Sequence, residues 1–279
     1  MKKITWNVKT LKNLHKQVYC VRDMLEYKNG RDEYTFAPCF VGKDYVKQNK
    51  RLMLVGQNSN GWDRDDGKFG NADEYADYII DEYFCIKSNR YSGFQWIEDG
   101  MQQNIDYWIK EKSNFWKFGR CVFERFSGAT MIDCKPPKVW QHSIVQSDTM
   151  KITKHKSGVG NVSDKKSGNI LCERTVQIDL SLQILLKEIE ILQPTHIVFM
   201  TNDAEYFFDA LKEKFEIVPE NVGPNVNKIV KRTGMIGDSK CFVTIHPEGF
   251  RKLKLGENQL SLYLNALDKV NKYKNWDLF

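Results

Sequence analysis

The chain has 279 residues, 41% of them hydrophobic and 13% aromatic, and a formal net charge of +6. This composition supplies a sizeable core, which excludes a globally disordered chain, and no apolar run approaches the ~20 residues needed to span a bilayer. The seven cysteines (20, 39, 85, 121, 134, 172 and 241) are scattered and odd in number and form no C-x-x-C pair; this argues against a disulfide framework or a zinc knuckle and fits reduced, mostly buried thiols.

Residues 1–28 read as a helix, with Leu11, Leu14, Val18, Val21 and Leu25 at helical spacing. Its first ten residues are basic but hold no continuous apolar segment of the signal-peptide kind, so a cytoplasmic location is expected. An apolar strand at 51–55 stops in the polar turn Gly56-Gln-Asn-Ser-Asn-Gly61. Residues 72–85 and 100–126 read as helices rich in aromatic side chains, and 142–149 as a strand, polar for a central one. The Lys/Ser/Gly-rich stretch 152–172 is too polar for the core and reads as a loop.

The clearest element is a helix over 175–192, where Ile178, Leu182, Leu185, Leu186, Ile189 and Leu192 form one stripe and Pro194 stops it. The strand 196–200 follows, then a helix capped by Asn202 or Asp203 with Ala204, Phe207, Phe208, Leu211 and Phe215 inward. Residues 227–245 read as a hairpin around Gly234 to Gly237, whose second strand stops at His246-Pro-Glu-Gly-Phe250. A last helix places Leu260, Tyr263, Leu264, Leu267 and Val270 on one face. Strands alternating with helices indicate an α/β three-layer sandwich with a mainly parallel central sheet, preceded by an N-terminal helical extension. The division expected is 1–45 for the extension and 46–279 for the α/β domain.

In parallel α/β sheets, strand ends of this kind converge on one ligand crevice. The charge distribution bears on what that crevice would take. Residues 151–170 carry five lysines against Asp164, and Arg251, Lys252 and Lys254 follow the histidine-proline turn, whereas Asp63 to Glu82 is acidic. Basic patches beside strand ends are compatible with nucleic acid.

The turn Gly56-Gln-Asn-Ser-Asn-Gly61 resembles the first motif of the uracil-DNA glycosylase superfamily, and His246-Pro-Glu-Gly-Phe-Arg251 resembles its last, which begins His-Pro and ends in a DNA-probing loop. Between them, Glu188-Ile-Glu-Ile-Leu-Gln-Pro-Thr-His-Ile-Val-Phe199 resembles the family's helix, proline and third strand. The likeness covers roughly residues 50–255 in order and spacing. It implies a protein that recognises a nucleobase in DNA and hydrolyses its N-glycosidic bond, with DNA as partner and no cofactor or metal. Asn58 would orient water and His246 would stabilise the departing base. Gly56, Gln57, Trp62, Phe69 and Asp148 would bind the base, Gln57 through its backbone N–H and the two aromatics by stacking. Phe250 would wedge into the base stack, while Arg251, Lys252, Lys254 and Lys151 would meet the DNA backbone.

The chain also departs from the family pattern. Ser59 stands where the first motif usually has proline, and Glu248-Gly249 where the last has serine-proline. Asp148 occupies the position of a base-reading asparagine; an ionised carboxylate only accepts, which suits an exocyclic amine better than a carbonyl.

Each residue has a plainer reading too. An asparagine after a strand is commonly a turn former or helix cap, and an isolated His-Pro a structural turn. Phe250 reads equally as folded back onto its own domain, Trp62 and Phe69 as core aromatics, and the cations after the turn as solvated surface. Two other functions fit the same fold: a nucleic-acid-binding protein without catalysis, favoured by the altered motif positions, and a small-molecule or nucleotide enzyme, favoured by the acidic stretch after Trp62. The tripeptide Gly158-Val-Gly160 lacks the third glycine and the strand-helix context of a dinucleotide loop. His15, His142, His155 and His196 show no metal-ligand pairing in sequence.

Overall fold

The computed structural model describes residues 8–29, 34–57, 69–84, 94, 114–127, 140–154, 175–202, 205–247, 249–250, 258–274 and 276. A seven-stranded mixed sheet carries the α/β architecture. Its strands are β2 (Phe40–Val41), β3 (Leu52–Gly56), β4 (Ile144–Asp148), β6 (His196–Met200), β7 (Phe215–Ile217), β8 (Val230–Ile236) and β9 (Ser239–Thr244), in the order β2-β4-β3-β6-β9-β8-β7. Parallel pairing joins β3 to β6 and β6 to β9, whereas β8 runs antiparallel to both β9 and β7. A separate antiparallel pair joins β1 (Tyr34–Phe36) to β5 (Ile152–Lys154). The apolar runs of β3 and β6 are buried through Leu54, Val55, Val198 and Phe199, as expected for strands covered on both faces.

The main helices are α1 (Lys9–Asn29), α2 (Ala72–Tyr78, continued by a π turn to Tyr83), α3 (Asn114–Ser127), α4 (Ile178–Leu192), α5 (Glu205–Phe208), α6 (Val226–Ile229) and α7 (Gln259–Tyr273). Asn71 caps α2 by accepting the N–H groups of Asp73 and Glu74 at 3.0 Å, and Glu74 reaches back to Gly70 N–H. Helix α4 ends where Gln193 takes a left-handed φ of 45° and Pro194 blocks continuation. No helix among the described residues is long and apolar enough to cross a membrane.

The chain packs as two compact units, one of residues 1–40, 56–93 and 147–192, the other of 41–55, 94–146 and 193–279. In the first, α1 packs on α2 and α4, with Phe36 stacked on Tyr75 at 4.0 Å between ring centroids. In the second, α7 packs on α3, and Phe118 of α3 meets Tyr263 edge-on.

Two expectations change. The stretch from 152 is not loop from its start, because Ile152–Lys154 pair with β1; Gln177 completes the edge, its amide accepting from Ile152 N–H at 2.9 Å and donating to Ile152 O at 2.8 Å. The rest of that stretch, 155–172, lies outside the described residues. The helix expected to carry Phe215 inward lasts one turn, then tightens into 3-10 geometry over Asp209–Lys214, and Phe215 opens β7 instead. Gly234 of β8, the register partner of Phe215, explains the switch: a Cβ there would lie 1.8 Å from Lys214 O, so the missing side chain lets the edge strand close in.

Candidate functional site

In the first unit, the end of β3 is held by the segment leaving β4. Thr149 N–H donates to Gly56 O at 2.9 Å, its hydroxyl to Gln57 O at 3.0 Å, and Met150 N–H to Gln57 O at 3.3 Å. Three hydrogen bonds on two consecutive carbonyls fix the backbone at the first motif. Asp148 closes β4 and is buried, near enough to Cys39 for its charge to help raise that thiol's pKa, an effect led by burial.

Two residues on from Thr149, Lys151 turns inward. Its ammonium lies 2.8 Å from Glu188 Oε1 and 2.6 Å from Ser147 Oγ, and the Ser147 hydroxyl donates to Glu188 Oε2 at 2.7 Å. Lys151 is 1% exposed and Glu188 0%. A pair so desolvated needs every partner to repay its burial, and the closed triangle with Ser147 provides them. His15 lies near this cluster, 1% exposed, with neither ring nitrogen hydrogen-bonded and its ring edge-on to Tyr75 at 6.1 Å. Burial, and secondarily the charge of Lys151, hold its pKa down at about 3.

In the second unit, His246 follows β9 by two residues and is half-buried. Its backbone is gripped from both sides. Asn202, two residues beyond β6, accepts His246 N–H through Oδ1 at 2.9 Å, and Gly249 N–H donates to His246 O at 2.7 Å. Below the turn, Phe250 packs against Phe118 and Tyr263 at ring-centroid distances of 5.7 and 6.0 Å. The Tyr263 hydroxyl pairs with Thr244 Oγ1 at 2.6 Å, at the last residue of β9. Phe250 therefore ties the turn down to α3 and α7, and the Tyr263 hydroxyl ties α7 to the end of β9.

Of the residues singled out from the sequence, Asn58, Trp62, Arg251, Lys252 and Lys254 lie outside the described residues. Gly56, Gln57 and Asp148 sit together at the β3 and β4 ends of the first unit, and His246 stands at the β9 end in the second. Phe69 is half-buried and packs on Tyr75 and Tyr78 of α2 at 5.5 and 5.0 Å between centroids, while its carbonyl accepts from Tyr19. Two expectations are corrected. Phe250 is no exposed wedge: it is fully buried among aromatics, because a phenylalanine after a short turn gains more from the core beneath than from water. Lys151 is no phosphate contact, because its ammonium is committed to Glu188.

Glu188 and Asn202 were not among the residues expected to matter beyond a helix face and a cap. The only sequence signal for Glu188 was an acid inside an otherwise apolar stripe; for Asn202 it was a left-handed-tolerant residue at a strand end. Among the described residues, no three His, Cys, Asp or Glu side chains gather as a metal-binding group. Of the four described cysteines, Cys39 and Cys241 are buried, Cys121 is intermediate and Cys20 exposed. Compared with known proteins, the chain matches no protein-family model and no curated protein sequence.

Proposed function

We propose that this protein is a divergent member of the uracil-DNA glycosylase superfamily that recognises a nucleobase in DNA and hydrolyses its N-glycosidic bond. The observation that carries this reading is the parallel set β3-β6-β9, in which the strand before the Gly56-Gln57 motif and the strand before the His246-Pro247 motif run the same way. Along β4-β3-β6-β9 the strand order reverses at β3/β6, and open α/β sheets take ligands outside the carboxyl ends of their strands at such a reversal.

The chemistry asks little of the chain beyond placed hydrogen-bonding groups. The sugar gains oxocarbenium character while the base departs as an anion. A donor aimed at that negative charge supplies the largest single effect, and losing one costs about 100-fold or more. His246 is that donor in this reading, Asn58 orients the water through its amide oxygen, and Asp148 accepts from an exocyclic amine on the base. The inward turn of Phe250 and Lys151 favours a second reading, in which the same strand ends act on a free nucleoside or nucleotide, because both side chains are buried in the protein and not offered to a DNA strand.

The test is base release from single- and double-stranded oligonucleotides carrying uracil, hypoxanthine, xanthine, mismatched thymine, or a mismatched base with an exocyclic amine (adenine or cytosine), and from the corresponding free nucleosides. Alkali converts abasic sites to breaks, with His246→Ala as control. Breaks that disappear in the variant support the glycosylase. Release from nucleosides alone supports the second reading, and no release from either substrate set rejects both.

A further inference from the structure

We infer that Asn202 is the positioning residue for His246, a role that rests on the base-release reading above. Asn202 has a left-handed φ of 59°, a conformation that side chains other than glycine adopt at a cost and that asparagine tolerates best. Strain of this kind persists where surrounding bonds over-determine it. Here they do: Asn202 N–H donates to Thr244 O at 2.9 Å, tying the end of β6 to β9, and its Oδ1 accepts His246 N–H at 2.9 Å.

The exposed Asn202 side chain lies against the histidine-proline turn. A Cβ on Gly249 would lie 3.5 Å from Asn202 Oδ1, so the far side of the turn passes near the same oxygen that grips its start. The Gly249 N–H on His246 O closes the turn at 2.7 Å, and Pro247 restricts the backbone of the residue before it. With its N–H, its C=O and its following residue all fixed, His246 has its backbone held in one place. A donor to a developing charge works only when placed to within a fraction of an ångström, and such misplacement costs on the order of 100-fold. Asn202 supplies that placement without touching the base.

Two variants separate the acceptor from the backbone shape. Asn202→Gly keeps a left-handed φ but removes Oδ1, and Asn202→Asp keeps both an acceptor and tolerance of that φ. On the oligonucleotide that wild type cleaves, Asn202→Gly is expected to lower kcat by roughly 10- to 100-fold with KM little changed, and Asn202→Asp to restore kcat to within a few-fold. Backbone hydrogen exchange at His246, which needs no activity, should be slow in wild type and Asn202→Asp and fast in Asn202→Gly. Wild-type kcat in Asn202→Gly would overturn the inference and leave the glycosylase standing. An unprotected His246 amide in wild type would overturn it whatever the activity, and a wild type that releases no base would bring down the reading and this role together.

Discussion

Lys151 and Glu188 form an ion pair at 2.8 Å with both side chains almost wholly out of water. The pair links the segment that holds Gly56 and Gln57 to the core face of α4, through a lysine two residues beyond Thr149. Removing one partner leaves a charge buried alone, at a cost of about 3–5 kcal/mol. Lys151→Met and Glu188→Gln should each lower the unfolding free energy, measured by urea denaturation, by that much. The double variant Lys151→Met/Glu188→Leu should recover most of the loss, since an apolar pair of similar volume is often neutral there. Additive losses in the double variant would show that the two side chains do not interact.

His15 sets a pH dependence whose sign follows from its burial. Its folded pKa, about 3, lies below the ordinary 6.5, so between these values the unfolded chain binds a proton that the folded chain refuses. Its contribution to stability is therefore complete above pH 6.5 and is lost as pH falls toward 3, at up to about 1.4 kcal/mol per pH unit. His196, held down to about 4 by burial and then by Lys240 and Lys50, adds a second loss of the same sign over the window from 6.5 to 4. Chemical denaturation at pH 7 and pH 5 should show His15→Leu losing less stability on acidification than wild type. An equal loss in both would remove His15 from the account.

Much of this was legible from local pattern. The apolar runs of β3, β6 and β9, the stop at Pro194 and the face of α7 through Tyr263, Leu267 and Val270 follow from period and punctuation. What was not legible depended on partners far along the chain. Glu188 is an acid inside the apolar stripe of α4, and its partner Lys151, which turns inward to meet it, lies 37 residues away. The three-residue strands β1 and β5 are too short to announce themselves and exist through each other and the Gln177 amide. Phe215 kept helical spacing with Phe207, Phe208 and Leu211, yet joined the sheet because Gly234 left room for its strand. Of the site, the residue types at strand ends were readable, whereas the direction of Phe250 and the grip of Asn202 were not.

Gly234 gives a separate check on the β7 edge. Any Cβ at this position meets the backbone of Lys214, which has no flexible end to move aside. Gly234→Ala should therefore destabilise by about 1–3 kcal/mol, the usual cost of forced overpacking. The damage should stay local: exchange protection is lost along Phe215–Ile217 while β3 and β6 keep theirs. Wild-type protection along β7 in the variant would contradict the close approach.

Phe250 distinguishes a core anchor from a DNA wedge. Buried against Phe118 and Tyr263, it should cost about 3–5 kcal/mol when truncated to alanine, as large aromatic-to-alanine changes in cores do. A wedge would behave otherwise, with stability unchanged and base release from duplex falling more than release from single strands, because only the duplex needs its stack filled. The substitution Phe250→Leu sharpens the contrast, keeping most of the apolar volume while removing the ring. For an anchor, it should restore most of the stability, and base release with it, on both kinds of substrate. Thermal unfolding and strand-resolved base release, measured on the same two variants, decide between the roles; unchanged stability in Phe250→Ala would return the residue to the DNA.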